Sequence, residues 1–396
     1  MMSPLHISLV TETWRPEING VAMTLGRLTD GLRHLGHRFT LVRPRQHAHD
    51  LPAAETGLRE VLVAGCPIPG YHGLRFGLPA KSRLLKAWRE DRPDVIQVAT
   101  EGPLGASAIA AAQQLNIPVV SEFHTNFHAY SRHYGFGWLE GLVTRHLRLL
   151  HNRSAVTLAP TFAVARELTD AGYRSVRVVS RGIDTALFNP QRRSVALRAQ
   201  WGISEEQLVI TYVGRLAAEK NLPLVTQAFA AIREVHPTAR LLFVGDGPMR
   251  AQLERSDPSY LFAGMRRAED LATHYASADL FLFPSLTETF GNVTLEAMAS
   301  GLGVVAYDCA AANELIRDGD NGRTVPSNQS AAFISAALDL ARNPALLATL
   351  RERASDSVRH LDWSNISGHL VQVFHDTIKA HPRQQPGEMV FHFALD

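Results

Sequence analysis

The sequence predicts an α/β protein of two domains, each built on a parallel sheet wound with helices. The chain has 396 residues, which is too long for one ordinary core and favours two domains. Short β-rich runs alternate with longer helical patterns along both halves. The alternation pauses over residues 181–204, where Asn189, Pro190 and a charged cluster stand in place of a strand pattern. We therefore predict two Rossmann-like halves joined near residue 190.

The N-terminal domain, residues 1–190, begins with a strand followed by a helix. HISLV at 6–10 predicts the strand, and a loop containing Gly20 leads to helical periodicity from Met23 to Leu35. Gly36 then predicts the end of the helix, because glycine adopts the left-handed cap conformation at low cost. Further strands are predicted from apolar runs at 94–99, 118–123, 155–160 and 176–180.

The C-terminal domain, residues 191–362, repeats this pattern. Strands followed by helical stretches are predicted at 208–214, 239–247, 278–285 and 303–308. One more amphipathic helix is predicted over 363–380, and residues 381–396 have no helical period. Because open parallel sheets bind ligands at the carboxyl ends of their strands, we expect a site in the cleft where these ends of the two sheets face each other.

Composition and charge limit the class of protein. Hydrophobic residues make up 45% of the chain and charged residues 20%, as in a soluble globular protein, and a formal charge of +2 gives no drive toward nucleic acid. Cys66 and Cys309 match no metal-ligand spacing, which favours a reduced compartment. No apolar run is long enough to span a bilayer. We expect a cytoplasmic protein that can lie peripherally on the cytoplasmic face of the inner membrane.

Two acids in the run LTETFGNVTLEAMASG, at 286–301, are candidates for ligand binding. Glu288 follows a predicted strand, and Glu296 lies in the first two turns of the next helix. Between them, the amides of Phe290, Gly291 and Asn292 lie near a helix N-terminus, which favours an anion or a hydroxyl-rich ligand. The alternative is a helix cap together with a buried salt bridge.

Two cations in VGRLAAEKN, at 213–221, follow the first strand of the C-terminal domain. Arg215 and Lys220 are placed where they could clamp a diphosphate between them. The alternative is a surface ion pair with Glu219. Their position at the carboxyl end of a strand favours the functional interpretation.

The N-terminal domain supplies two weaker candidates. Gly20, in the first strand-to-helix loop, would let the backbone approach a phosphate closely. The loop lacks the G-x-G-x-x-G pattern of nicotinamide and flavin dinucleotide sites. His124 follows the strand at 118–123, also at a carboxyl edge. A lone histidine is more often structural, but this position toward the cleft favours function.

These four pieces, in their order along the chain, resemble those of the retaining glycosyltransferases of glycosyltransferase family 4. This large family includes phosphatidylinositol mannosyltransferases and sulfoquinovosyl diacylglycerol synthases. Glu288 and Glu296 match the E-x7-E signature of that family, and GRLAAEKN matches its cation motif. The resemblance covers about residues 4–380. It implies the GT-B fold, with the final helix crossing back to complete the first domain.

The resemblance also implies a role for each matching residue. Glu288 would hold the hydroxyls of the donor sugar beside the backbone of residues 290–292, and Glu296 would bind the ribose. Arg215 and Lys220 would clamp the diphosphate, with Gly20 touching it from the opposite domain.

The resemblance implies roles for two further residues, each of which matches the family at one isolated position. His124 would lie beside the anomeric carbon, and Met265, after Phe262-Ala263-Gly264, would contact the base through its backbone.

The implied reaction transfers a hexosyl group from a nucleotide-diphosphate sugar, of the GDP-mannose or UDP-glucose type, with retention of configuration. Loss of the nucleoside diphosphate develops negative charge, which fixed cations and amides can stabilise without a metal. We therefore expect no metal and no cofactor apart from the donor substrate. Paired acids could also indicate a glycosidase, in which they attack or protonate the glycosidic bond.

The acceptor is indicated by residues 127–153. This stretch is basic, aromatic and amphipathic, which suits docking on anionic lipid and favours a lipid acceptor such as diacylglycerol. Its single acid is Glu140. Its arginines are Arg132, Arg145, Arg148 and Arg153, and its aromatic residues include Tyr130, Tyr134, Phe136 and Trp138. A solvated helix face is the simpler alternative. Other interpretations are a soluble or polysaccharide acceptor, a nucleotide-sugar epimerase or hydrolase, and a non-catalytic nucleotide-sugar-binding regulator.

Overall fold

The structure is a computed structural model that describes residues 3–15, 17, 20–47, 49–53, 55–67, 75–123, 140–286, 288 and 290–381. Two parallel sheets organise these residues, one in each half of the chain. His124, the aromatic residues at 130–138, Arg132 and the tail from 382 lie outside the described residues, so the predictions on them stay predictions.

The N-terminal sheet has seven parallel strands in the order β3-β2-β1-β6-β7-β8-β9. These strands are β1 His6–Val10, β2 Arg38–Pro44, β3 Leu58–Val63, β6 Val95–Val98, β7 Val119–Glu122, β8 Val156–Ala159 and β9 Val176–Val178. A short antiparallel pair, β4 Gly65–Pro67 and β5 Arg75–Gly77, lies outside the sheet. The helices of this half are α1 Gly20–His34, α2 Lys81–Glu90, α3 Pro103–Leu115, α4 Glu140–His151 and α5 Phe162–Asp170.

The C-terminal sheet has six parallel strands in the order β12-β11-β10-β13-β14-β15. They are β10 Val209–Val213, β11 Arg240–Val244, β12 Leu261–Gly264, β13 Leu280–Phe283, β14 Gly303–Tyr307 and β15 Arg323–Val325. The helices are α6 Val195–Gln200, α7 Leu222–Val235, α8 Arg250–Ser256, α9 Ala268–Ala276, α10 Asn292–Ala299, α11 Ala310–Leu315, α12 Ser330–Arg342, α13 Pro344–Val358 and α14 Trp363–Ala380. The two wound parallel sheets confirm the α/β fold class that the sequence predicts.

The strand order reverses once in each sheet, and these reversals position the cleft. In the N-terminal sheet, β1 pairs with β2 on one side and β6 on the other. In the C-terminal sheet, β10 pairs with β11 and β13 in the same way. Loops leaving two such neighbouring strands run in opposite directions, so a crevice opens between them at the carboxyl edge.

The last helix, α14, returns to the N-terminal half and packs against α1. Gly31 of α1 lies so close to the Ser367 hydroxyl that a Cβ at this glycine would collide with it. Arg177, on β9, donates a hydrogen bond to Asp376 on α14 at 2.9 Å. The helix has the bounds expected from the sequence, 363–380.

Several elements differ from the sequence-based expectation. Helix α1 begins at Gly20 rather than Met23 and ends at His34. Strand β2 was missed because charged residues interrupt its apolar run. One of them, Arg43, is buried in ion pairs with Asp50 at 2.6 Å and Glu60 at 2.9 Å. Strands β12 and β15, of four and three residues, are too short to show a period.

Candidate active site

A cleft of about 780 Å³ lies between the carboxyl edges of the two sheets. The loops after β1 and β6 and the start of α1 form its N-terminal wall, and the loops after β10 and β13 form its C-terminal wall. Residues of the N-terminal wall include Glu12, Thr13, Glu17, Gly20, Thr100 and Glu101. Residues of the C-terminal wall include Gly214, Arg215, Lys220, Glu288, Phe290, Gly291 and Asn292. The cleft is therefore at the place that the fold predicts for a ligand.

Lys220 and Glu288 meet on the C-terminal wall. The Lys220 ammonium lies 2.5 Å from Glu288 Oε1, and the Ser285 hydroxyl donates to the same oxygen at 2.8 Å. Both side chains are largely buried. The salt bridge that was the alternative interpretation of Glu288 thus exists, but it lies on the wall of the cleft. A ligand that binds either group can take the place of the other.

Arg215 lies on the same wall and is held only loosely. Its side chain is 69% exposed, and its closest acid is Glu219, with 3.8 Å between Nη1 and Oε1. This is the ion pair that the sequence offered as the alternative, and at this exposure it contributes little stability. The Tyr212 hydroxyl donates to the Arg215 carbonyl at 3.1 Å and fixes the backbone. The guanidinium can therefore reorient toward an anion in the cleft.

The turn before α10, at residues 290–292, lines the cleft. Gly291 has a φ of +83°, which glycine adopts at low cost, and it precedes the first residue of α10, Asn292. The Asn292 Oδ1 atom is buried and has no hydrogen-bond partner in the described part of the chain. The first amides of a helix lack intrahelical partners and favour negative charge. Residues 290–292 therefore lie where a ligand in the cleft could reach them, and their contact with a hydroxyl-rich or anionic ligand remains a prediction.

Glu296 lies deeper in α10 and is not among the residues that line the cleft. It accepts a hydrogen bond from the Tyr275 hydroxyl at 2.9 Å. Burial raises the pKa of Glu296 to about 7, and the Tyr275 hydrogen bond opposes that rise. Tyr275 also lies 3.5 Å from the carbonyl of Val293, which does line the cleft. The carboxyl is thus one layer behind the cleft surface.

Of the other predicted site residues that the structure describes, Gly20 lines the cleft and Met265 does not. Gly20 begins α1 and lines the cleft opposite the cations. Met265 follows β12 with an exposed side chain and does not line the cleft. The roles assigned to Gly20, Met265 and His124 remain predictions.

Several residues of the cleft were missed by the sequence analysis, among them two acids and an arginine that follow strands. Glu12 follows β1, Glu101 follows β6, and Arg181 follows β9. Burial raises the pKa of Glu12 to about 7, backbone hydrogen bonds from Leu104 and Gly77 oppose the rise, and the Glu101 charge adds to it. Both acids come directly after predicted strands, a signal that could have identified them. Arg181 lies in the stretch without a strand pattern, so its burial had no sequence signal.

The described residues contain no group of three or more histidine, cysteine, aspartate or glutamate side chains placed to hold a metal. Asp318 and Asp320 have an Asp-x-Asp spacing, but they pair with Arg323 and Arg353 at 3.0 Å and 2.8 Å, away from the cleft. The expectation of metal-independent chemistry remains a prediction.

No helix in the described ranges is long and apolar enough to cross a membrane.

Two family models match the chain, one in each half. Residues 18–187 match the model described as Glycosyltransferase Family 4, and residues 207–343 match Glycosyl transferases group 1. Each model covers one wall of the cleft.

Similar proteins agree with this assignment. The chain is 30% identical over 384 residues to a GDP-mannose-dependent alpha-mannosyltransferase of Corynebacterium glutamicum, covering 97% of this chain and 92% of the relative. It is 29% identical over 328 residues to an alpha-monoglucosyldiacylglycerol synthase of Streptococcus pneumoniae, covering 79% of this chain and 74% of the relative.

The solved structure of sucrose-phosphate synthase from Thermosynechococcus elongatus superposes with a TM-score of 0.75 at 19% identity. The match covers 95% of this chain and all of that one, and it confirms the GT-B fold. Together with the two family models and the mannosyltransferase relative, it confirms the resemblance drawn from the E-x7-E acids and the cation motif. The chain therefore belongs to glycosyltransferase family 4.

Proposed function

We propose that the protein transfers a hexosyl group from a nucleotide-diphosphate sugar to a hydroxyl of a membrane lipid. The observation that carries this proposal is the C-terminal wall of the cleft, where Lys220, Arg215 and the amides before α10 surround one space with Glu288. Cations and helix-start amides suit a diphosphate, and a carboxylate suits the hydroxyls of a sugar. The names of the relatives, a mannosyltransferase that uses GDP-mannose and a glucosyldiacylglycerol synthase, support the same donor and acceptor classes.

The Lys220–Glu288 pair gives the donor a defined way to bind. In the structure each group satisfies the charge of the other at 2.5 Å. When the donor enters, the ammonium turns to the diphosphate and the carboxylate accepts hydrogen bonds from sugar hydroxyls. Because both groups exchange one polar partner for another, neither is left buried without a partner.

The reaction then follows from the charges. The bond between the anomeric carbon and the phosphate oxygen breaks, and its electron pair stays on that oxygen. A bond forms between the anomeric carbon and the acceptor oxygen, and the acceptor proton leaves with the diphosphate. Negative charge grows on the leaving group, so Lys220 and Arg215 stabilise the transition state more than the ground state. Retention results if the acceptor attacks on the face from which the diphosphate departs.

The lipid part of the proposal is supported by an exposed stripe on α4. Four exposed residues follow the spacing of one helix face, namely Leu142, Arg145, His146 and Leu149. A stripe with two leucines and a cation is suited to the interface of an anionic membrane. The stripe belongs to the N-terminal half, which is also where the proposal places the acceptor.

The structure changes which arginines can serve this surface. Arg148 donates to the Ala171 carbonyl at 3.0 Å, and Arg153 donates to Gln113 at 2.6 Å. Both therefore help to hold the N-terminal half together. Of the three arginines of this stretch that the structure describes, Arg145 is the one on the exposed stripe.

Product formation tests the function directly. The purified protein is incubated with GDP-mannose or UDP-glucose and with vesicles that contain diacylglycerol and anionic lipid. We expect a glycosylated lipid with one of the two donors, detected by mass spectrometry, and release of the matching nucleoside diphosphate. Absence of transfer to any lipid or saccharide, together with no thermal stabilisation by either nucleotide, would contradict the proposal.

Replacing Lys220 by alanine tests the clamp. We expect turnover to fall by about 100-fold or more, since a fixed cation is lost where charge develops. Thermal unfolding should show a folded variant, because Lys220 is on the cleft wall rather than in the core. Lys86→Ala, at an exposed position on α2, is the matched control and should keep parental turnover. A folded Lys220→Ala protein with near-normal turnover would remove the diphosphate role.

Replacing the stripe tests the membrane surface. The triple change Leu142→Ser, Arg145→Gln and Leu149→Ser should reduce co-sedimentation with anionic vesicles and the rate of transfer to lipid. The arginine contributes on the order of 1 kcal/mol, which fades with salt. Leu51→Ser, another exposed leucine of the same half, is the control for surface polarity. Unchanged vesicle binding in the triple variant would contradict the proposed docking on lipid and favour a soluble saccharide acceptor.

A further inference from the structure

Arg181 is a buried cation at the junction of the two halves. Its residue surface is 7% exposed, and it lines the cleft between the start of α1 and the turn before α10. Its Nη1 atom donates to the Gly20 carbonyl at 3.3 Å and to the Thr24 hydroxyl at 3.2 Å. Its guanidinium carbon lies 5.7 Å from the centre of the Phe290 ring. Arg181 thus contacts both walls of the cleft.

Within the part of the chain that the structure describes, Arg181 differs from the other buried arginines because it has no ion pair. Arg198 is fully buried and pairs with Asp279 at 3.3 Å, and Arg43 pairs with two acids within 3 Å. Among the described residues, no carboxylate lies within 4 Å of Arg181. Burying a charge without a partner is costly. Because Arg181 lies on the wall of a ligand cleft, an anionic group of the ligand can be the charge partner that offsets this cost.

The negative charge of Glu122, which lies farther away, helps to keep Arg181 protonated. Burial lowers the pKa of its guanidinium, and the negative charge of Glu122 opposes that change. Arginine stays protonated in proteins under such conditions. Arginine has five N–H donors, and the hydrogen bonds to Gly20 and Thr24 both come from Nη1. Neither Nε nor Nη2 bonds to any residue that the structure describes, so these donors are available to a ligand.

We propose that Arg181 binds the sugar-bearing phosphate of the donor, as a third cation of the diphosphate site that reaches it from the side opposite Lys220 and Arg215. The inference rests on the proposed function. Its occupant is a diphosphate because Arg181 lies between Gly20, the first residue of α1, and Phe290, in the turn before α10, and the starts of helices favour negative charge. The donor diphosphate has two negative charges, and a third develops as the glycosidic bond breaks. Three cations match that final charge.

The N-terminal wall argues against an anionic acceptor as the partner of Arg181. Glu17 and Glu101 line this wall of the cleft, together with Glu12, whose pKa burial raises to about 7. Carboxylates there accept hydrogen bonds from hydroxyl groups and repel a phosphate or sulfate on the acceptor. The acceptor is thus expected to present neutral hydroxyls, and the anion for Arg181 comes from the donor.

The affinities of a nucleoside diphosphate and a nucleoside monophosphate test this role. GDP with GMP, and UDP with UMP, are titrated calorimetrically into the parent, Arg181→Gln and Arg177→Gln proteins. In the parent, the pair with the cognate base should show tighter binding of the diphosphate. In Arg181→Gln this preference should fall by about tenfold or more, while binding of the monophosphate changes by less than about threefold, because only the second phosphate loses a charge-assisted partner. Arg177→Gln, outside the cleft on β9, should retain the parental preference.

The other outcomes decide against the inference. An unchanged preference in Arg181→Gln would overturn it, and an equal loss of both nucleotides would assign Arg181 a structural role. Arg181→Met, which keeps an apolar side chain against Phe290, repeats the comparison if the glutamine variant does not fold. A parent protein that binds neither nucleotide pair would instead refute the proposed function, so the two failures are distinguishable.

Discussion

The structure depends on one topological constraint, the reversal of strand order at β1 in the first sheet and at β10 in the second. Each reversal separates two loops at the carboxyl edge and opens a crevice between them. The crevices face each other, and the loops that border them supply the polar residues of the cleft. The remaining strands and helices hold these edges in place, and α14 ties the end of the chain back onto α1.

The charges on the two walls of the cleft are balanced to different degrees. Lys220 and Glu288 neutralise each other on one wall, whereas among the described residues Arg181 is balanced by the more distant charge of Glu122. A diphosphate would satisfy Arg181 and compete for Lys220 in the same step. Binding would then release Glu288 for the sugar, which couples recognition of the phosphates to recognition of the hexose. This coupling explains why an ion pair that contributes stability can also be part of a binding site.

Much of the fold was predictable because parallel strands buried on both faces form continuous apolar runs. The exceptions are strands such as β2, whose Arg43 is buried only because Asp50 and Glu60 lie in space beside it. The position of Glu288 and Lys220 at one cleft was predictable because both follow strands of one sheet. Their direct pairing was not, since it depends on side-chain reach. Likewise, Arg145 and Arg148 look alike in sequence, and only the packing of α4 separates the exposed one from the one bound to Ala171.

The central claim is that the facing carboxyl edges form a diphosphate site whose cations come from both halves of the chain. A crystal structure with the cognate nucleoside diphosphate bound tests it most directly. We expect phosphate oxygens within hydrogen-bond distance of Lys220 and Arg181, and we expect that Lys220 is no longer paired with Glu288. A nucleotide bound outside this cleft, or bound in it with the Lys220–Glu288 pair intact and Arg181 still without an anion, would contradict the account.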